Sequence, residues 1–234
     1  VSWAALPGPA EIQAGHRCSS SNLLLGGVGN HKGGIGAQLT ADTLAAIMGS
    51  TTEKMELWVD PINEALSTFE INTPKRIAAF LANARKESAK LSLLEENTNW
   101  NLNAVDSSGN YSQRFGRFST ANAATILEYQ TQSGDNKADY AYLNLANGNT
   151  ETDDGHKYKG RGLLHLTWKN NYQAASNGLN AAYGTGTYDL VKGYSSVTTD
   201  PVVAARTAAW YWRSGSSRGD LNTIVDRNNL TDLQ

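Results

Sequence analysis

The chain has 234 residues, 40% hydrophobic and 18% charged, with a formal net charge of −2. This is ordinary globular composition for one large domain or two small ones, without the basic surplus that marks a nucleic-acid partner. It gives no reason to expect an anionic membrane surface either. Cys18 is the single cysteine, so no internal disulfide staples the fold, and no apolar run approaches the roughly 20 residues of a membrane helix.

The opening V-S-W-A-A-L-P-G-P-A-E has neither the basic start nor the long apolar core of a signal peptide, and it lacks an initiating Met. The chain is therefore expected to be a domain cut from a longer protein. Residues 1–37 carry Pro7, Pro9, the Ser19–Ser21 run and the glycine-rich G-G-V-G-N-H-K-G-G-I-G, and they read as a linker or extension. The glycines lack the Gly-Lys-Ser/Thr ending of a phosphate cradle, and His16 and His31 read as surface residues. Residues 38–234 read as the folded domain. Thr40 is a suitable N-cap for T-A-D-T-L-A-A-I-M-G, closed by Gly49. Trp58, Ile62, Leu66 and Phe69 recur at helical steps, and Thr73–Pro74 starts a third helix.

In that third helix, read from Arg76 to Lys90, Ile77, Phe80, Leu81, Ala84 and Leu91 form an apolar stripe at three and four residue steps. Glu87 falls on its flank, while Lys86 points into solvent. A carboxyl at the edge of a buried face is partly desolvated and holds its proton longer, as a general acid must. Glu96 follows nine positions later. On an unbroken helix it would lie about 180° around and roughly 13 Å along the axis from Glu87. The pattern turns polar at E-E-N-T-N, which predicts that the helix ends near Leu91–Leu94 and that the chain folds Glu96 back across a cleft. Two carboxyls about 6.5–9.5 Å apart leave room for a water, the arrangement of an inverting glycosidase. Taken alone, the pair reads as two surface glutamates.

Further on, a helix is expected around Ala121–Gln132. Asp153, Asp154 and His156 fit neither a calcium loop nor a zinc motif, and a solvated loop is expected there. In Y-K-G-R-G-L-L-H-L-T-W-K-N-N-Y, residues 158–172, Gly160 and Gly162 permit close backbone approach, and L-L-H-L-T reads as a short strand. Thr167 is either a β-branched strand residue or a hydroxyl that accepts and donates at once. Asp200–Pro201 opens a helix running through V-V-A-A-R-T-A-A-W-Y-W-R-S-G to Gly215. Trp210 and Trp212 cannot share one helical face, so one is expected in the core and the other towards a second lobe or the cleft.

The stretch K-E-S-A-K-L-S-L-L-E-E-N-T-N-W resembles the first active-site block of the family 19 glycoside hydrolases, the chitinases and lysozyme-like endolysins with H-E-S-(x)7-E-N-x-N-Y. Lys86 stands where the family has His, and Trp100 where it has Tyr. The block at 158–172 resembles the family's G-R-G-x-I-Q-L-T-x-x-x-N-Y, with His165 in place of Gln and Trp168–Lys169 in place of the common Gly-Arg. The leader from Leu39, the segment Y-S-Q-R-F-G-R-F and L-N-T-I-V-D are similar too, so the resemblance covers roughly residues 39–228. It implies a mainly α, lysozyme-like, two-lobed domain with a small β-hairpin and a cleft between the lobes. It implies Glu87 as general acid, Glu96 as general base and Thr167 as holder of the attacking water. Asn97, Trp100, His165, Asn171 and Tyr172 are its implied substrate contacts, with no metal or cofactor.

The function so implied is inverting cleavage of β-1,4 bonds in an amino-sugar polymer. The leader and the E-E-N block look more like phage and bacterial members, which favours peptidoglycan. A chitinase shares every catalytic residue, and a sugar-binding module that has lost catalysis is the alternative of another class. The expected partner is the wall glycan, met by a monomer without membrane insertion. A cognate immunity protein is added if the chain is an antibacterial effector rather than an endolysin. Without a signal peptide it is expected to be made in the cytoplasm and to act on the wall in the periplasm or after delivery or lysis.

Overall fold

The structure, a computed structural model, describes residues 38–102 and 116–227. The extension expected over residues 1–37, the start of the R-F segment and residues 228–234 lie outside the described residues. The described fold is mainly helical. Helix α1 (Ala41–Met48) starts where Thr40 Oγ1 accepts the Thr43 amide at 3.1 Å and stops at Gly49, which is left-handed at φ 63°. Helix α2 (Thr52–Thr68) buries Met55, Trp58, Ile62, Ala65 and Leu66. Helix α3 (Pro74–Glu87) is capped by Thr73, whose Oγ1 accepts the Arg76 amide at 3.2 Å. Pro74 sits in its first turn, where a missing donor costs little.

These helices pack with α7 (Lys169–Tyr183), α9 (Pro201–Trp210) and α10 (Leu221–Asp226) around the larger of two cores. Asp200 caps α9 by accepting the Val202 amide at 2.9 Å. Seven of its ten residues are buried, and most are alanine or valine, which lets α2 and α7 come close. Burying a Phe80 or Leu81 here stabilises by about 1.5–3 kcal/mol each. A smaller core gathers Leu102, Phe118, Ile126 and Ala141, the last two from α4 (Ala123–Gln130) and α5 (Gly134–Ala141). Tyr140 stacks on Phe118 with ring centroids 4.6 Å apart. The short helices α6 (Asp154–Lys157) and α8 (Ser196–Thr199) are the remaining α-helices among the described residues. Leu94 packs on the large core and Trp100 on the small one, so the segment carrying Glu96 crosses from one lobe to the other.

Three expectations change. The β-hairpin shrinks to isolated antiparallel bridges, Glu95 with Arg161 and Arg161 with Leu166. A strand sends successive side chains to opposite faces, whereas Leu163 and Leu164 are both buried, and the backbone between the bridges turns instead. Trp210 and Trp212 both enter the core. Helix α9 is buried on more than one side and gives way to a wider π turn over Tyr211–Gly215, so opposite faces of the segment both meet the core. Trp212 then packs edge-on to Phe80 at 5.6 Å and donates to Asn222 Oδ1 at 3.1 Å. Trp210 lies over Gly178, where a Cβ would stand 1.9 Å from its Nε1. Finally, Asp154 is not in a solvated loop. It is 2% exposed and accepts the Thr150 and Glu151 amides at 2.8 and 3.0 Å and Lys169 Nζ at 3.1 Å.

Candidate active site

Helix α3 ends at Glu87 rather than near Leu91–Leu94. Ala89, Lys90 and Leu91 follow in the left-handed region, at φ 46°, 66° and 63°. For L-residues that conformation costs about 1–2 kcal/mol each, and the local hydrogen bonds show what holds it. The buried Ser88 hydroxyl donates to Ala84 O and accepts the Leu91 amide at 2.9 Å. The Lys90 amide reaches Arg85 O and the Leu93 amide reaches Ser88 O, each at 2.8 Å. The turn reverses the chain and leaves Glu87 as the last residue of α3. Glu87 is half-buried, and its carboxyl has no hydrogen bond or ion pair among the described residues. Lys86 is exposed, as its helical phase predicts.

Glu96 is held in the opposite manner. It is 9% exposed, and its amide donates to Gly160 O at 2.8 Å. The Tyr142 hydroxyl lies 2.8 and 2.9 Å from its two carboxylate oxygens, and the Gly160 amide donates to Oε2 at 3.2 Å. A Cβ on Gly160 would stand 3.5 Å from that oxygen, an ordinary contact, and 3.2 Å from His165 Cβ, so the glycine relieves crowding within the second block. Glu95 ties them on the other side, through Lys159 at 2.8 Å and Arg161 at 3.4 Å. Burial pushes the Glu95 carboxyl up, but the Lys159 hydrogen bond and the Arg161 charge outweigh it and hold it below the ordinary range. Arg161 is itself buried, donates to His156 O at 2.9 Å and lies over the Tyr194 ring at 4.9 Å.

The second block wraps these carboxylates. His165 is buried at φ 49°, with Nε2 3.3 Å from Leu93 O. A carbonyl only accepts, so Nε2 carries the proton and Nδ1 is a bare acceptor, buried without a partner among the described residues. Burial pushes the imidazole down. The Leu93 hydrogen bond and the fields of Glu87 and Glu96 oppose this, so one ring senses both carboxylates. Thr167 is buried and donates its hydroxyl to His165 O at 2.8 Å, leaving its lone pairs as acceptors. Asn171 is half-buried and donates to Thr167 O at 2.7 Å. Asn97 is exposed and accepts the Asn99 amide at 2.9 Å, and Trp100 is half-buried.

Tyr172 departs from its implied role. It is fully buried, its hydroxyl donates to Lys159 O at 3.0 Å, and burial pushes its phenol far up. It supports the second block from behind and has no surface for a sugar. His165 is likewise enclosed. The residue that the sequence did not reveal is Tyr142, which ends α5. It lies 46 positions from Glu96 and in neither block. Of the acidic cluster, Asp153 pairs with Lys157 and His156 with Asp139, the latter at 3.0 Å. Among the described residues no group of three or more His, Cys, Asp or Glu is placed to hold a metal ion.

Two active-site blocks closed on each other by Glu95, Glu96 and Gly160 define a glycosidase-type site, and the comparisons say of which kind. The sequence model of chitinase class I, glycoside hydrolase family 19, matches residues 67–220, and the chain belongs to this family. A glycosyl hydrolase family 19 domain-containing protein of Haemophilus influenzae is 30% identical over 137 residues, 58% of this chain and 60% of that one. An acidic endochitinase of Solanum chilense is 40% identical over 62 residues, 26% of this chain and 22% of its own length. The chain thus spans about a fifth of that plant relative. Among solved structures, chitinase C of Streptomyces griseus aligns over 86% of this chain and 68% of its own, at 21% identity and a TM-score of 0.47.

Proposed function

We propose that the chain hydrolyses β-1,4 bonds of an amino-sugar polymer in one displacement, with Glu87 protonating the glycosidic oxygen and Glu96 activating a water on the opposite face. The observation that carries this is the contrast between the carboxyls. Glu87 ends its helix unpaired among the described residues, while Glu96 is clamped by Tyr142 and Gly160. An acid that must approach and leave a substrate oxygen benefits from freedom, and a base that must aim a water benefits from fixation. An ionised carboxylate offers about four lone-pair sites. The three contacts to Glu96 leave one for the water, which Thr167 is proposed to hold as well. Asn97, Trp100 and Asn171 are proposed to contact sugar, since each keeps exposed or half-buried surface.

The finer reading is peptidoglycan, cleaved by an endolysin or by a delivered effector with a cognate immunity protein. Its support is the bacterial and phage character of the leader and of the E-E-N block. The longer of the two reported sequence matches is also to a bacterial protein. A second reading, chitin, is favoured by the plant relatives, which are chitinases. Purified peptidoglycan and a soluble chitin oligomer offered side by side separate the two. Mass spectrometry of the products before and after borohydride reduction identifies the new reducing end. Muropeptide release with an intact oligomer supports the first reading, and the reverse supports the second. Neither substrate cleaved would overturn the enzyme.

A further inference from the structure

We infer that Tyr142 is the positioning residue of the base: its hydroxyl fixes the plane of the Glu96 carboxylate and thereby the direction of the attacking water. The inference rests on the reading of Glu96 as base and assigns a role that neither active-site block contains. One phenolic proton lies almost equally between both oxygens, at 2.8 and 2.9 Å. A donor on the bisector of a carboxylate resists rotation of the whole group, and the Gly160 amide at 3.2 Å on Oε2 makes the two oxygens inequivalent. The two donors come from separate elements, the end of α5 and the 158–168 turn, so the carboxylate is pinned from two sides. Oε1 accepts only from Tyr142 among the described side chains and is the oxygen left to hold a water.

Tyr142 is itself held. Its ring meets Trp100 edge-on at 6.0 Å and 68°, and Trp168 at 5.1 Å and 86°. Its carbonyl accepts the buried Asn149 side chain at 2.9 Å. At 3% exposure it has no surface for a sugar, so it acts through Glu96 and is not a catalytic residue in its own right. Edge-on rings place slightly positive ring hydrogens against π faces, an arrangement that Phe preserves.

The test is a double-mutant cycle of Tyr142→Phe and Glu96→Gln, read by steady-state kinetics on a soluble amino-sugar oligomer, with melting temperatures of all four proteins. Loosening the group that aims the attacking water is expected to lower kcat by up to about 100-fold and to leave KM within about twofold, the split of an interaction used only in the transition state. In the Glu96→Gln background the same substitution is expected to change kcat less than about twofold, because a residue acting through Glu96 has nothing left to act on. An equal fall in both backgrounds, or a KM rise that matches the fall in kcat, overturns the role. If Glu96→Gln alone keeps full activity, the base assignment fails first, which is a distinguishable outcome. Should the double variant not fold, the Tyr142→Phe protein by itself decides through its kcat and KM.

Discussion

Ser88→Ala tests the turn that separates the two carboxyls. The hydroxyl makes two hydrogen bonds, to Ala84 O and from the Leu91 amide at 2.9 Å. Losing the first strands nothing, because the Ser88 amide still donates to Ala84 O at 3.0 Å. Losing the second leaves the Leu91 amide without its acceptor in a buried setting, a loss of about 1–3 kcal/mol. At about 2–4 °C per kcal/mol for a domain of this size, the melting temperature should fall by roughly 2–12 °C. Calorimetry supplies that number, and turnover of a soluble oligomer well below the transition supplies the second. Activity should fall further than the unfolded fraction explains, since the turn sets where Glu96 returns. Lys90→Gly is the control. Glycine relieves the left-handed strain at φ 66° but gains freedom in the unfolded chain, so stability should stay within about 1 kcal/mol of the parent. A Ser88→Ala protein melting within about 1 °C of the parent, against the scale above, would refute this account of the turn.

Glu87→Gln and Glu96→Gln should each keep the fold by circular dichroism and each lose about 10²–10⁴-fold in turnover, the range of acid–base groups. Lys86→Ala should alter stability by less than about 0.5 kcal/mol and leave kinetics unchanged, because the side chain is exposed. A large rate loss there would place Lys86 in the cleft. His165 is held below its ordinary value of 6.5, chiefly by burial. The unfolded chain therefore binds the proton first, and stability is lost as pH falls through that value. His165→Gln should melt with a shallower decline between about pH 7 and pH 5 than the parent, and parallel curves would contradict the assignment.

The helix starts were legible because each uses a local signal. Thr40, Thr73 and Asp200 all accept an amide in the first turn, and the apolar periods that follow them are the ones buried. The pairing of the two blocks was legible only through resemblance, since no local rule joins Glu96 to Gly160 across 64 positions. The end of α3 was misread because Ala89, Lys90 and Leu91 carry no glycine or asparagine to announce a left-handed turn. That conformation is imposed by Ser88 and by the packing of Leu91. Tyr142 was invisible for the same kind of reason. A tyrosine at a helix end says nothing about its partner, and only the fold brings it to Glu96. Tyr172 shows the converse, an aromatic in a sugar-site motif that the fold turns inward.

The proposed mechanism turns on the face of the sugar that water attacks. Proton NMR of the anomeric signals during the first moments of hydrolysis of a soluble β-1,4 amino-sugar oligomer reads this directly. With a water aimed by the fixed Glu96 at the side opposite Glu87, the α anomer must appear first and the β anomer only later by mutarotation. If the β anomer appears first, the displacement runs through a covalent sugar–enzyme intermediate. The assignment of Glu96 as the base is then wrong.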